Sequence, residues 1–266
     1  MIPEVRRFLP IAILAATFLS PYLLSGQSED SPLDPTDLYP RVGVEVGLSS
    51  VWQSGTYTAR CGTFVKGSRI SPLFALAYDR PFATSFRFEA LLGIQGRGVS
   101  SSFNSSENVV LETPGGPARA TVDFENLGSL SATYVFVMPS AKYYLTRGVY
   151  LGAGFSAGAL LGATTQYTKN ILSKTVVVDD LGLSEVYYPS EESSDPYSKV
   201  FEEETRDDAS GLGLDGVVYV GAEIRMGSRL RVGPRVMSVL PLTSILSNPD
   251  LSLNAMQFLI GVRYNL

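Results

Sequence analysis

Eight stretches of this chain alternate, residue by residue, between uncharged side chains and small, polar or charged ones. In all eight one parity class carries a stripe free of Asp, Glu, Lys and Arg, which in the second runs from Ile70 to Tyr78 and stops before Arg80. A β-strand sends successive side chains to opposite faces, so each stretch reads as a strand with one clean face. The stretches are 41–52, 70–80, 84–99, 132–145, 149–163, 212–226, 229–240 and 253–266. In the first, Val42, Val44, Val46 and Leu48 oppose Arg41, Gly43, Glu45, Gly47 and Ser49. In the third, Phe86, Phe88, Ala90, Leu92 and Ile94 oppose Arg87, Glu89, Gln95 and Arg97. Elsewhere the charged face carries Asp79, Lys142, Asp215, Glu223, Arg225, Arg229, Arg231, Arg235 and Arg263.

The connections between these stretches alternate short and long. Short ones fall near 81–83, 147–148 and 227–228, long ones near 54–69, 100–131, 164–211 and 241–252. That asymmetry is the one expected of an up-and-down barrel with tight turns at one end and long outer loops at the other. Past the first 26 residues, no charge-free apolar run is long enough for a spanning helix. A membrane location would therefore require a closed barrel, because an open strand edge is too costly in lipid. Pro72, Pro139 and Pro234 fall inside the expected strands, where each removes a ladder donor and marks a bulge or strand end.

Residues 1–26 have the shape of an export signal. Arg6 and Arg7 precede an apolar run, and Ser25 and Gly26 offer small residues for cleavage. Gln27 stands where a lipidated Cys would have to be, so lipid anchoring there is chemically impossible. Residues 27–40, acidic and Pro-rich, read as a linker. The chain has no His and one Cys, Cys61. A His/Cys zinc site and a Ser–His or Cys–His catalytic pair are thereby excluded, as is an internal disulfide. The formal net charge of −5 gives no reason to expect nucleic-acid binding. No enzymatic site and no cofactor are expected. Gly152 and Gly154 follow a turn without opening a helix, so they read as small lumen-facing residues and not as a phosphate cradle.

At this point the chain resembles the small outer-membrane β-barrel proteins of Gram-negative bacteria, the eight-stranded porin-like or adhesin-like domains. The likeness covers about residues 41–266. It rests on the leader, the eight stripes, the segment 138–145 and the tail 259–266, where Gly261, Tyr264 and Leu266 match the spacing of a barrel-assembly signal. Two places depart from the pattern: Leu266 replaces a terminal aromatic, and Leu259 stands where a polar residue is common. The resemblance implies an all-β, eight-stranded antiparallel transmembrane barrel in the bacterial outer membrane. Its partners would be outer-membrane lipid, lipopolysaccharide and the barrel-assembly machinery, with the partner of the outer loops unknown.

The charged face supplies the candidate site: Glu45, Arg87, Glu89, Arg97, Asp215, Glu223, Arg225, Arg229, Arg231 and Arg235. An eight-stranded barrel is only wide enough for its own side chains, so these residues read as interlocking ion pairs. An anion path or gate is the alternative. The acidic run 179–208 reads as a solvated loop, with Ca²⁺ or a basic partner as alternatives. Tyr57, Tyr167, Tyr187, Tyr188 and Tyr197 lie in or beside the long connections and could serve adhesion. The expected function is a non-enzymatic barrel with a structural or surface-interaction role. The alternatives are a small porin-like channel and a soluble exported barrel holding an apolar ligand, the last requiring the clean stripes to point inward.

Overall fold

The computed structural model describes residues 39–59, 62–83, 85–113, 116–178, 182–188, 195–205, 210–245 and 251–266. The leader, most of the linker and Cys61 lie outside the described residues. Among the described residues every regular element is a strand. These are β1 (Arg41–Ser54), β2 (Tyr57–Ala59), β3 (Gly62–Phe64), β4 (Ser68–Ala83), β5 (Phe86–Thr113), β6 (Gly116–Tyr144) and β7 (Val149–Ile171). There follow β8 (Thr175–Val178), β9 (Gly182–Glu185), β10 (Ser198–Thr205), β11 (Leu212–Ala222), β12 (Ile224–Met226), β13 (Leu230–Pro241) and β14 (Ser252–Asn265).

The main sheet runs β10-β7-β11-β13-β14-β1-β4-β5-β6, and a further β6–β7 ladder closes it. Eight strands thus form an antiparallel ring: β1, β4, β5, β6, β7, β11, β13 and β14. Paired residues lead round it from Arg41 through Asp79, Glu89, Ser140, Gly154, Val217, Val239 and Ala255, and return to β1 at Val51. That is a stagger of ten residues. Over eight strands about 4.8 Å apart it tilts the strands by about 40° from the axis.

The clean stripes face outward. Val46 is 49% exposed, Leu92 54% and Phe155 68%, whereas Arg87 and Glu89 are fully buried inside the ring. The soluble rival, with its apolar stripes inward, is therefore not the arrangement adopted. Along β5 the outward apolar band runs from Phe86 to Ile94. Nine residues at this tilt rise about 20 Å, close to the apolar band of a spanning barrel.

Above the band the pattern inverts. The outward residues of β5 become Ser100, Ser102, Asn104, Ser106 and Asn108, while Ala120, Val122 and Phe124 of β6 turn inward and are buried with Ile171, Val176 and Val186. A long outer loop at 100–131 was expected. Instead β5 and β6 continue paired as far as Thr113↔Gly116. The uncharged outward stripe ends at Ile94 and beyond it the apolar residues change face, so the stripe does not mark the continuing strand. Residues 164–211 are likewise not one loop: β7 runs on to Ile171, with β10 paired along it.

Local irregularities have local causes. The β6–β7 register shifts between Thr133↔Gly162 and Tyr134↔Leu160, leaving Leu161 as an extra residue. One extra residue swaps the faces, so Ala163 and Thr165 point inward although they share parity with outward Ala153 and Phe155. The three prolines face outward, and each sits at a gap in one ladder. Pro72 lies between Ser68↔Ser100 and Leu73↔Gln95, Pro139 between Val137↔Ala157 and Ser140↔Gly154, and Pro234 between Gly221↔Arg235 and Ile224↔Val232. A residue with no N–H is tolerated where the ladder is already open. The stretch 212–226, expected as one strand, breaks at Glu223 into β11 and β12.

Candidate functional site: the ionic lumen

Three strands and the break between β11 and β12 place carboxylates toward the short-turn end of the lumen: Glu45 on β1, Asp79 on β4, Glu89 on β5, and Glu223 at the break. Five cations meet them: Arg41, Arg87, Lys142, Arg235 and Arg263. Glu89 is the centre. Its Oε1 lies 2.6 Å from Lys142 Nζ and 2.9 Å from Arg263 Nη2, and its Oε2 2.8 Å from Arg235 Nη1. Glu45 accepts Arg235 Nη2 at 3.0 Å and a close contact from Arg263. Asp79 Oδ1 accepts Arg87 Nε at 2.8 Å, and Glu223 takes Arg41 at 2.8 Å. Lys142 also reaches Asp79 at 3.5 Å and Glu223 at 3.6 Å.

Tyrosines close the cluster on the β7–β11 side. Arg235 lies over the ring of Tyr219 at 4.5 Å, and Lys142 over that of Tyr150 at 4.8 Å. The Tyr219 hydroxyl is 2.8 Å from Ser140 Oγ. These rings find room because the facing residues have no side chain. A Cβ on Gly152 would stand 2.1 Å from the Tyr219 ring, and one on Gly221 2.3 Å from the Tyr150 hydroxyl. Gly152 is thus a lumen-facing residue made small by its neighbour's ring, as the sequence reading had it.

Farther along β5, Leu91 packs with Met138, Met237 and Leu259. Next, the Gln95 and Gln257 amides lie 3.1 Å apart, and Arg97 grips Asp215 with two contacts, one of 2.9 Å. Near the outer mouth Phe64, carried in by the connection after β1, stacks edge-on to Phe103 at 5.3 Å. Ile245, Leu251 and Leu253 are buried in the same core.

Of the ten charged residues named from sequence, Glu45, Arg87, Glu89, Glu223 and Arg235 join the central cluster. Arg97 and Asp215 form their own pair, and Arg231 is buried beside Arg263 in the ladder. Arg225 and Arg229 are corrections: both are exposed at the turn between β12 and β13, outside the lumen. Arg225 Nε donates to the Gly227 carbonyl at 2.9 Å, and Arg229 Nη1 to the Tyr264 hydroxyl at 2.8 Å. Arg225 keeps the lumen parity, since β12 continues the register of β11 along β13 and pairs it with buried Arg231, but it lies past the end of the buried lumen, where all of β12 is exposed; Arg229 belongs to a turn where Gly227 takes φ 77°. Arg41, Lys142, Asp79 and Arg263 were not singled out as site residues. The signal for them was present, since each lies on the face of its own strand opposite the uncharged stripe. Gly261 faces the lumen against Glu45 and Arg263, while Tyr264 and Leu266 face outward.

A second region lies on the outer extension. Asn104, Ser105, Ser106, Asp123, Leu172 and Ser173 line an open groove of about 420 Å³. Hydroxyls of Ser106 and Ser173 donate to Asp123 and hold its carboxyl below the usual range. Tyr188 and Tyr197 pack on the small outer core, and Tyr167 donates to Asn126 at 2.6 Å. Among the described residues no group of acidic side chains is placed to hold a metal ion. In the acidic run 179–208, residues 179–181, 189–194 and 206–209 lie outside the described residues.

No family model matches the chain, and no curated protein matches it. Among solved structures it is similar to Ail, the attachment invasion locus protein of Yersinia pestis, in complex with the heparin analogue sucrose octasulfate. Identity there is 10% and TM-score 0.36, covering 86% of this chain and 99% of that one. It is similar to Neisserial surface protein A at 13% identity and TM-score 0.33, covering 85% and 97%. Outer membrane protein OprG from Pseudomonas aeruginosa follows at 10% and 0.33, covering 86% and 96%.

Proposed function

We propose that this chain is a non-enzymatic barrel of the bacterial outer membrane, exported by the leader 1–26, closed to solutes, and presenting its outer strand extensions to partners. One observation carries the reading: an uncharged outward band encircles all eight ring strands while the charges fill the inside. In water that arrangement would leave Phe74, Leu92, Ile94, Phe155, Phe258 and Ile260 exposed with no compensating contact. In hydrocarbon the same surface is satisfied, and the closed ring leaves no backbone group unpaired at an edge. The short turns then lie on the periplasmic side, and the extensions of β5, β6 and β7 stand outside the cell. Gly261, Tyr264 and Leu266 would serve as the assembly signal read by the barrel-assembly machinery.

The closed-lumen reading is favoured over the channel by the central cluster. Asp79, Arg87, Glu89 and Lys142 are all 0% exposed, so no water-sized path passes their side chains. The test reconstitutes the full chain into phospholipid vesicles and planar bilayers. It should float with the vesicles and give no discrete conductance steps. Recovery in the aqueous phase would sink the membrane reading. Floating with reproducible single-channel steps would sink the closed lumen and establish the porin-like alternative.

A further inference from the structure

The two arginines that fall outside the lumen belong to a larger set. Each of the three short turns carries at least one exposed arginine. Arg80 stands on the outward face of β4 between Tyr78 and Phe82, level with Phe88, Arg147 lies between β6 and β7, and Arg225 and Arg229 flank the turn between β12 and β13. No exposed Asp or Glu occurs among the described residues of this rim; Asp79 and Glu223 face inward, with side chains 0% and 7% exposed. The opposite end is mixed, with exposed Glu185, Asp123 and Asp195 beside Arg69, Arg119 and Lys174. Among the described residues the rim's exposed charges are arginine alone, with no lysine.

Aromatic side chains lie at the level of the rim. Phe82, Phe86 and Tyr143 form a stacked row across β4, β5 and β6, with centroids 5.6 and 4.8 Å apart. Tyr264 lies under Arg229, whose guanidinium is 5.9 Å from the ring centre. Amphipathic rings of this kind rest at the boundary between hydrocarbon and headgroup. A guanidinium within a side chain's reach of these rings sits at phosphate depth, and its planar fork pairs two phosphate oxygens at once.

We infer that this rim binds anionic phospholipid headgroups in the leaflet facing the short turns, Arg80, Arg147, Arg225 and Arg229 each taking a phosphodiester. Positive charge alone would attract any acidic surface. The aromatic row sets the depth, and depth selects a lipid phosphate over a soluble acidic partner. The inference rests on the membrane-spanning reading above.

The test uses the full chain in vesicles of equal phosphatidylcholine and phosphatidylglycerol, with retained lipid counted by native mass spectrometry. Phosphatidylglycerol should be retained preferentially, by about fivefold for each arginine engaged. Combined Arg80→Gln, Arg147→Gln, Arg225→Gln and Arg229→Gln should bring the ratio near unity, whereas Arg69→Gln with Arg119→Gln should leave it unchanged. If the fourfold variant does not assemble, single Arg80→Gln and Arg229→Gln provide the graded version, each lowering the ratio by its own step. Equal retention of both lipids by the wild type, or an unmoved ratio in the rim variants, overturns the inference and leaves the spanning barrel standing. A chain that does not float with these vesicles overturns both.

Discussion

Replacing Glu89 by glutamine keeps the side chain's shape and deletes one charge from the centre of the lumen. The wild-type cluster sets four carboxylates against five cations; E89Q leaves three against five. Lys142 loses its 2.6 Å partner and keeps only Asp79 at 3.5 Å and Glu223 at 3.6 Å. Arg235 and Arg263 retain Glu45. Removing one partner of a buried ion pair costs about 3–5 kcal/mol, because the remaining charge stays desolvated. With two of the three cations still paired, the lower end, about 3 kcal/mol, is expected. Lys142→Met moves the cluster the other way, to four against four, and should cost less. The double variant restores the wild-type imbalance of one, so its cost should fall short of the sum by about 2 kcal/mol, within the range seen for groups sharing one network. Urea unfolding of vesicle-reconstituted protein, followed through the single tryptophan, Trp52, reads all three. An E89Q loss below about 1 kcal/mol, or strict additivity in the double variant, would show that water screens these charges and refute the dry-plug argument.

Leu92→Arg, on the outward band, should cost about 2–4 kcal/mol in the same unfolding assay, as for a basic residue facing mid-bilayer lipid; a near-zero cost would mean that the site faces water. Gly152→Ala places a methyl against the Tyr219 ring and should lose about 1–3 kcal/mol by overpacking. Gly162→Ala, with open space around the new Cβ, is the near-neutral control. Asp123 gives a pH prediction. Its folded carboxyl titrates below the unfolded value of about 3.9, so its stabilisation is present above that value and lost as pH falls through the lowered folded one. Ser173→Ala should move the Asp123 titration back toward the ordinary value by carbon NMR, and an unmoved midpoint would count against the hydroxyl contact.

Parity along the chain was enough to establish that this is a β protein, that each ring strand carries an uncharged stripe on one face, and that the buried ionised groups share the other. Those are local properties, because side-chain direction in a strand repeats every two residues whatever the strand pairs with. The absence of His likewise settled a chemical question before any fold was known. Parity fell short in two places: the extra residue at Leu161 swapped the faces of β7, and Arg225, though on the lumen parity, stands past the end of the buried lumen. The inversion above Ile94 was written in the sequence too, but reading it requires knowing where lipid gives way to water. Only the closed ring decided which charges meet. Glu89 lies 146 residues from Arg235 and 174 from Arg263. Those groups converge because a stagger of ten residues and a β6–β7 ladder bring strands far apart in sequence to one level across the lumen. No periodicity within a single strand carries that information.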